Sequence, residues 1–228
     1  MKAAVLAALL ALPWAAGAGG AATPPGQVSQ MTRNAALWQA AEQGDAGRVR
    51  DLLGRGASAN ARRPDGRTAL TAAALGDHVA VARLLIDAGA DPDPQDTARN
   101  NALLVTGETG SVAMLREVLR AGPDLTRTNR FGGTALIPAA DRGHVAYVRE
   151  LLKTEINVDH VNNLSWTALL EAVILGDGGT RHTEIVRLLL AAGANPNLAD
   201  REGVTPLAHA NQRGYGAMVQ LLTSAGGK

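Results

Sequence analysis

Apolar and polar positions recur with a period of 33 residues over most of the chain. Each copy begins with a polar residue followed by two small or apolar ones, and pairs such as Leu52-Leu53 and Leu85-Ile86 lie between these markers. The spacing predicts two short helices per copy, the first exemplified by 69–75 and the second by 79–88. The markers are Thr68-Ala69-Leu70, Asn101-Ala102-Leu103, Thr134-Ala135-Leu136, Thr167-Ala168-Leu169 and Thr205-Pro206-Leu207.

The same markers predict how each helix begins and ends. A Thr or Asn favours a helix start, because its side-chain oxygen accepts a hydrogen bond from an otherwise unpaired amide. Recurrent glycines predict left-handed caps after the second helices; they are Gly56, Gly89, Gly122, Gly193 and Gly226. Glu155 replaces the glycine in the fourth copy, so that copy either ends differently or contains a strained cap. Pro138 removes one hydrogen bond from a first turn, where we expect local distortion without a broken helix.

These repeats predict an all-α solenoid of about six helix-turn-helix units over residues 34–226. No copy can bury both helices alone, so neighbouring copies must stack to form the core. The copies, numbered one to six below, span about 34–62, 63–95, 96–128, 129–161, 162–199 and 200–226. The fifth carries a five-residue insertion within Gly176–His182. This segment is interpreted either as a flexible surface loop or as a secondary contact site.

The N-terminal segment has the layout of a secretory signal peptide. A lysine precedes the apolar run Ala3–Leu12, and a proline and small residues follow it. We therefore expect a signal peptide over 1–22, cleaved after Ala18 or Ala22, and a short linker over 23–33. A membrane anchor is the alternative, since the segment is about long enough to span a bilayer. The expectation is an exported, periplasmic protein that is not inserted in the membrane after cleavage.

Composition excludes several classes of function. Lys plus Arg number 22 and Asp plus Glu 21, so no strongly basic face is available for nucleic acid. The chain has no cysteine, which excludes disulfides, cysteine-ligated metals and a catalytic thiol. Six aromatic residues among 228 require a core of Ala, Leu and Val. Such side chains bury little area each, which favours many stacked helices.

Several stretches resemble ankyrin repeats, among them Asp65–Leu70, Ala88–Asp91 and Asp200–Leu207. One copy keeps the proline of the T-P-L-H pattern of that family, and none keeps its histidine. More narrowly, Asn129–Ala139 and His160–Val186 are similar to a group of exported bacterial ankyrin-repeat proteins. That resemblance implies a periplasmic binding module with no known catalytic residues.

Histidine placement does not predict catalysis or metal binding. His78 and His144 follow a glycine, at a position where the family ordinarily uses histidine structurally. His160, His182 and His209 lie outside any metal-ligand spacing. No nucleophile, base and oxyanion donor can be assigned together, so we expect no enzyme activity, cofactor or metal.

Turn tips and the exposed ends of the first helices form an extended concave surface in stacked repeats of this kind. The predicted partner-binding residues on that surface are Arg67, Asn100, Arg130, Phe131, Arg142, Trp166, Arg201 and Gln212. Phe131 and Trp166 are the most informative, because aromatic side chains are enriched at binding hot spots. The alternative is that both rings pack onto their own loops.

The function predicted from these features is protein binding by a monomeric, non-catalytic module. The alternative is a specific regulator, inhibitor or immunity-type protein of a periplasmic enzyme or toxin. Both need the same concave surface, and the sequence does not identify the partner.

Overall fold

The computed structural model describes the backbone of residues 25–228 and the side chains of residues 29–228. The predicted signal peptide over 1–22 lies outside the described residues. The described chain is helical, which confirms the all-α prediction. Its helices are α1 (Pro25–Glu42), α2 (Ala46–Gly54), α3 (Ala69–Leu75), α4 (Val79–Asp87), α5 (Ala102–Thr109), α6 (Val112–Arg120), α7 (Leu136–Asp141), α8 (Val145–Leu151), α9 (Ala168–Ile174), α10 (Thr180–Ala191), α11 (Pro206–Gln212) and α12 (Gly216–Ser224).

The helices stack in two layers. Each odd-numbered helix contacts the next odd-numbered one, from α1 through α11, and the even-numbered helices form a second row from α2 through α12. One helix of each row belongs to each copy, so each inner copy buries its apolar residues against two neighbours and each end copy against one. No helix of the described chain is both long and apolar enough to cross a membrane.

The first helix is longer than the sequence predicts. It begins at Pro25, so the part of the predicted linker that the structure describes belongs to α1. Proline is tolerated in the first turn of a helix, where its missing amide has no partner to lose. Leu37 and Trp38 are buried toward the C-terminal end of the same helix and attach it to the stack.

Four of the five predicted helix caps are present. The side-chain oxygens of Thr68, Asn101, Thr167 and Thr205 each accept a hydrogen bond from the amide three residues later. Pro206 lies at the first position of its helix, as predicted. These contacts satisfy amides that a helix leaves unpaired at its start.

Thr134 is the exception: the prediction that its side chain caps the following helix is wrong. Its hydroxyl is buried and has no hydrogen-bond partner in the described chain. In copy two the amide of Ala72 donates to Thr68 O at 3.1 Å, but the equivalent residue in copy four is Pro138, which has no amide. The amide of Ile137 instead donates to Thr134 O at 3.3 Å, and α7 begins only at Leu136. The expected local distortion is therefore present.

Copy four also ends differently from the others. The recurrent glycines have positive φ, for example 79° at Gly89 and 70° at Gly122. Glu155 is not among the positive-φ residues of the described chain. Instead, α8 ends at Leu151, and the amide and hydroxyl of Thr154 both donate to Leu151 O, at 3.0 and 2.7 Å. The alternative ending avoids a left-handed glutamate.

The insertion in copy five is only partly a loop. Its last residues, from Thr180, extend the start of α10, which has 12 residues. Asp177 stabilises the short loop before it: Oδ1 accepts from the amide of Gly179 at 2.9 Å and lies 3.0 Å from His182 Nδ1. The interpretation as a flexible surface loop is therefore wrong for its helical part.

Candidate functional site

The turn tips form one continuous edge across copies two to five. The amide of Thr97 donates to Asp65 O at 2.9 Å, and the amide of Arg130 donates to Ala98 O at 3.2 Å. The row continues where the amide of Asn163 donates to Phe131 O at 3.0 Å. Because each tip is bonded to the preceding one, residues of neighbouring copies keep a fixed spacing along the concave surface.

An asparagine shapes the tips of copies four and five. Asn129 Oδ1 accepts from the amides of Phe131 and Gly133, at 2.9 and 3.1 Å. Asn162 Oδ1 accepts in the same way from the amides of Leu164 and Trp166, at 2.9 and 3.0 Å. Such side-chain contacts replace a backbone turn. Phe131 and Leu164 consequently occupy the same position, 33 residues apart.

Both residues at this position are exposed despite being apolar. The exposed fraction is 59% for Phe131 and 54% for Leu164, whereas Trp166 is half-buried. Trp166 occupies the position of Gly133, not that of Phe131. The structure therefore pairs Phe131 with Leu164 as the neighbouring apolar tips, and the predicted pairing of Phe131 with Trp166 is corrected on this point.

Phe131 stands between two pockets on the concave surface. The larger, of about 410 Å³, lies between copies four and five and is named the Phe131 pocket here. The smaller, of about 130 Å³, lies on the side of copy three. The Phe131 pocket is lined by Glu108, Asn129, Phe131, Gly133, Ile137, Pro138, Asp141, Arg142, Asn162, Asn163, Leu164 and Glu171.

The Phe131 pocket contains a buried carboxylate. Glu171 is only 5% exposed, and Asn162 Nδ2 donates to its Oε1 at 2.9 Å. Burial, followed by the charge of Asp141, raises the pKa of Glu171 to about 7. Arg142 Nη2 donates to Glu108 Oε2 at 2.6 Å in the same pocket lining. Negative charge therefore lies beside the exposed apolar tips.

The structure brings four of the eight predicted site residues together. Phe131 and Arg142 line the Phe131 pocket, while Asn100, Arg130 and Phe131 line the smaller one. The guanidinium carbon of Arg130 lies 4.7 Å from the centre of the Phe131 ring, which is cation–π geometry.

The other four predicted residues lie outside both pockets. Arg67 Nε is 3.9 Å from Asp96 Oδ2, and Arg201 Nη2 donates to Asn163 O at 2.9 Å, so both join neighbouring copies. Trp166 is half-buried, and Gln212 is exposed at the end of α11. Sequence reasoning missed Leu164 and Glu171. The spacing of 33 residues from Phe131 could have identified Leu164.

Three histidines join neighbouring copies by equivalent hydrogen bonds. The Nε2 atoms of His78, His144 and His182 donate to the carbonyl oxygens of residues 42, 108 and 141, at 3.1, 3.1 and 2.9 Å. Each joins a second helix to the first helix of the preceding copy. The expected structural role of His78 and His144 is confirmed, and His182 shares it once the insertion is counted. In the described chain no group of three or more acidic or histidine side chains could hold a metal ion.

Family models match most of the described chain. The model of ankyrin repeats in three copies matches residues 37–129 and 103–200, and a second ankyrin-repeat model matches residues 180–223. The chain belongs to the ankyrin-repeat family. Ankyrin repeats are protein–protein interaction modules, and they are generally non-catalytic.

Relatives agree with this assignment. The ankyrin repeat protein YahD of Escherichia coli is 45% identical over 188 residues, which cover 82% of this chain and 94% of YahD. An ankyrin repeat domain of Acinetobacter baumannii AYE is 49% identical with a TM-score of 0.82, covering 84% of this chain and 98% of that domain. The ankyrin repeat domain of Bcl-3, an IkappaB family member, is 28% identical with a TM-score of 0.75, covering 85% and 86%.

Proposed function

We propose that this ankyrin-repeat protein is an exported, non-catalytic module that binds a protein partner through the concave surface of copies three to five. The observation that carries the proposal is the pair of exposed apolar tips, Phe131 and Leu164, beside a recessed pocket of about 410 Å³. Exposed apolar side chains at neighbouring positions are typical of protein-binding surfaces. An aromatic anchor next to a pocket is the usual centre of a binding hot spot.

Affinity capture with paired variants tests this surface. The bait is the purified protein, the sample is a periplasmic extract of the native cells, and the test variant is Phe131→Ala/Leu164→Ala. The control is Met31→Ala, since Met31 is 66% exposed but lies on α1, before copy one and outside both pockets beside Phe131. We expect one partner to be retained by the control and lost by the double variant, with both melting temperatures unchanged. Equal capture by both variants contradicts the assignment to this surface.

Export is supported by the sequence of residues 1–22, and it is tested separately. We expect the protein in the periplasmic fraction of its native cells, with a mature N-terminus at Gly19 or Thr23. Mass spectrometry of the purified protein measures that N-terminus directly. A mature chain that still starts at Met1 and stays in the cytoplasmic fraction contradicts export without affecting the binding proposal.

A second candidate function is that of a regulator, inhibitor or immunity-type protein for an enzyme or toxin. It is favoured by the recessed pocket beside Phe131, since a pocket that takes one anchor side chain suits a single specific partner better than a flat surface does. The captured partner decides between the two functions. A change in its enzymatic or toxic activity upon addition of the protein, absent with Phe131→Ala/Leu164→Ala, supports regulation; no change supports a scaffold.

A further inference from the structure

We propose that the Phe131 pocket binds a lysine or arginine side chain of the partner protein, flanked there by apolar residues. The proposal rests on the proposed function, because it names the chemistry of the segment that this surface recognises. Its basis is that the buried carboxyl group of Glu171 and the exposed apolar side chains of Phe131 and Leu164 line the same pocket.

Charge in the pocket favours a cation. The lining contains three carboxylates, Glu108, Asp141 and Glu171, and one guanidinium, Arg142. Arg142 already donates to Glu108, which leaves the charges of Asp141 and Glu171 without a basic partner in the lining. Asn162 is bonded to Glu171 Oε1, and no donor of the described chain is bonded to Glu171 Oε2. A basic side chain entering the pocket would supply both the charge and the hydrogen bonds.

The walls suit the rest of a long basic side chain. Phe131, Pro138 and Leu164 line the same pocket as the carboxylates. Lysine and arginine carry apolar stems, which pack against such side chains while the charged end reaches a polar group. An acidic side chain would add a like charge beside Asp141 and Glu171, and a purely apolar one would leave Glu171 Oε2 without a hydrogen-bond donor.

The buried carboxylate is not part of the repeat architecture. The equivalent positions in copies two, three and four hold Ala72, Val105 and Pro138. In copy six the position holds His209, whose Nε2 lies 2.6 Å from Asp200 Oδ2, so the buried acid of that copy has a basic partner. Glu171 is thus a buried carboxyl group that has no basic partner in its own stack, an arrangement found at functional sites.

Selection from a random peptide library displayed on phage tests the proposal. The purified protein is the target, and Phe131→Ala/Leu164→Ala is the reference target. We expect peptides enriched on the protein alone to contain Lys or Arg next to apolar residues. Replacing that basic residue by Gln in a selected peptide should weaken its binding at least about tenfold.

Two further variants separate charge from shape. Glu171→Gln keeps the size of the side chain and should weaken the selected peptide by about the same factor, at least about tenfold. Glu202→Gln is the control, because Glu202 is exposed at the equivalent of Leu164 in copy six. It should leave peptide binding unchanged. Melting temperatures measured for both variants establish that each is folded.

The outcomes distinguish this proposal from the proposed function. Enriched peptides without a basic residue, or peptides insensitive to Glu171→Gln, overturn the basic-residue proposal while leaving the binding surface supported. Equal enrichment on the protein and on Phe131→Ala/Leu164→Ala overturns both. Retention of a native partner by the protein together with selection of acidic peptides overturns the basic-residue proposal alone.

Discussion

Thr68 and Thr134 occupy the same position in two copies but have different surroundings. Thr68 Oγ1 accepts from the amide of Thr71 at 3.1 Å, whereas the hydroxyl of Thr134 is buried without a partner in the described chain. The difference originates at Pro138, four residues after Thr134, where a backbone donor is missing. One residue type at one repeat position therefore contributes differently to stability.

This difference predicts unequal effects of two identical substitutions. Thr68→Ala should lower the free energy of unfolding by about 1 kcal/mol, because the helix loses its cap. Thr134→Ala should leave the free energy of unfolding unchanged or raise it, since it removes a buried hydroxyl that has no partner. Urea denaturation of both variants measures the effect, and equal destabilisation would contradict the assignment.

Glu171 predicts a pH-dependent stability. Its pKa rises from an ordinary 4.5 to about 7 in the folded chain, because of burial and the neighbouring charge of Asp141. The folded state binds this proton more tightly than the unfolded state does, so protonated Glu171 stabilises the fold. This contribution to the free energy of unfolding is fully present below about pH 4.5 and is lost as the pH rises through about 7. Glu171→Gln keeps an acceptor for Asn162 and cannot ionise.

We expect Glu171→Gln to raise the free energy of unfolding by up to about 3 kcal/mol at about pH 8 and to leave it nearly unchanged at about pH 4. Denaturation of the variant and of the unmodified protein at both pH values measures this. Glu202→Gln serves as the control, since Glu202 is exposed. A gain that is equal at both pH values would show that ionisation is not its cause.

At the scale of elements, the distorted start of α7 is accommodated by its neighbour α5. A Cβ atom on Gly107 would collide with the carbonyl oxygen of Ala135. Ala135 lies just before α7, in the turn that Pro138 alters. The equivalent residues in copies two and four are Ala74 and Ala140, so this position normally holds a Cβ. Gly107 and Pro138 therefore adjust the interface between copies three and four together.

Gly107→Ala should destabilise the protein even though alanine favours helices. The added methyl group forces α5 away from α7, and overpacking of this kind costs about 1–3 kcal/mol. Thermal unfolding of the variant measures the loss. Gly54→Ala, at the end of α2, is the control: no atom lies within 4 Å of the added Cβ there, and its stability should not fall. An unchanged melting temperature for Gly107→Ala would contradict the close approach.

At the scale of the whole molecule, stability depends on the interfaces between neighbouring copies of the stack. Tyr147 of copy four is fully buried, and its hydroxyl donates to Thr106 Oγ1 of copy three at 2.7 Å. Burial raises the pKa of Tyr147, so the phenol stays protonated. This side chain therefore joins the two halves of the solenoid, in which each copy contacts mainly its neighbours.

Tyr147→Ala should divide the unfolding transition. Loss of the ring and its hydrogen bond costs about 3–5 kcal/mol at the central interface, so the two halves should unfold in separate steps. Leu222→Ala, in the last copy, should release only the end of the stack. Circular dichroism during urea denaturation distinguishes these outcomes, and a single transition for Tyr147→Ala would contradict the nearest-neighbour description.

The sequence by itself determined the repeat, the helical solenoid and most helix boundaries. These features depend on local chemistry: caps such as Thr68, left-handed glycines such as Gly89 and apolar spacing are readable along the chain. Because these signals are local, the sequence also identified Glu155 and Pro138 as irregular positions. It also indicated Phe131 as an anchor, since an aromatic residue at a turn tip is visible from spacing alone.

Only the tertiary structure decided which residues share a site. Leu164 and Phe131 are neighbours because one turn tip is hydrogen-bonded to the next. Trp166 is aromatic, like Phe131, but it lies at another position of the turn. Glu171 became a candidate through burial and through the charge of Asp141 on α7. Burial and electrostatic coupling depend on contacts between copies, and no local pattern encodes those distances.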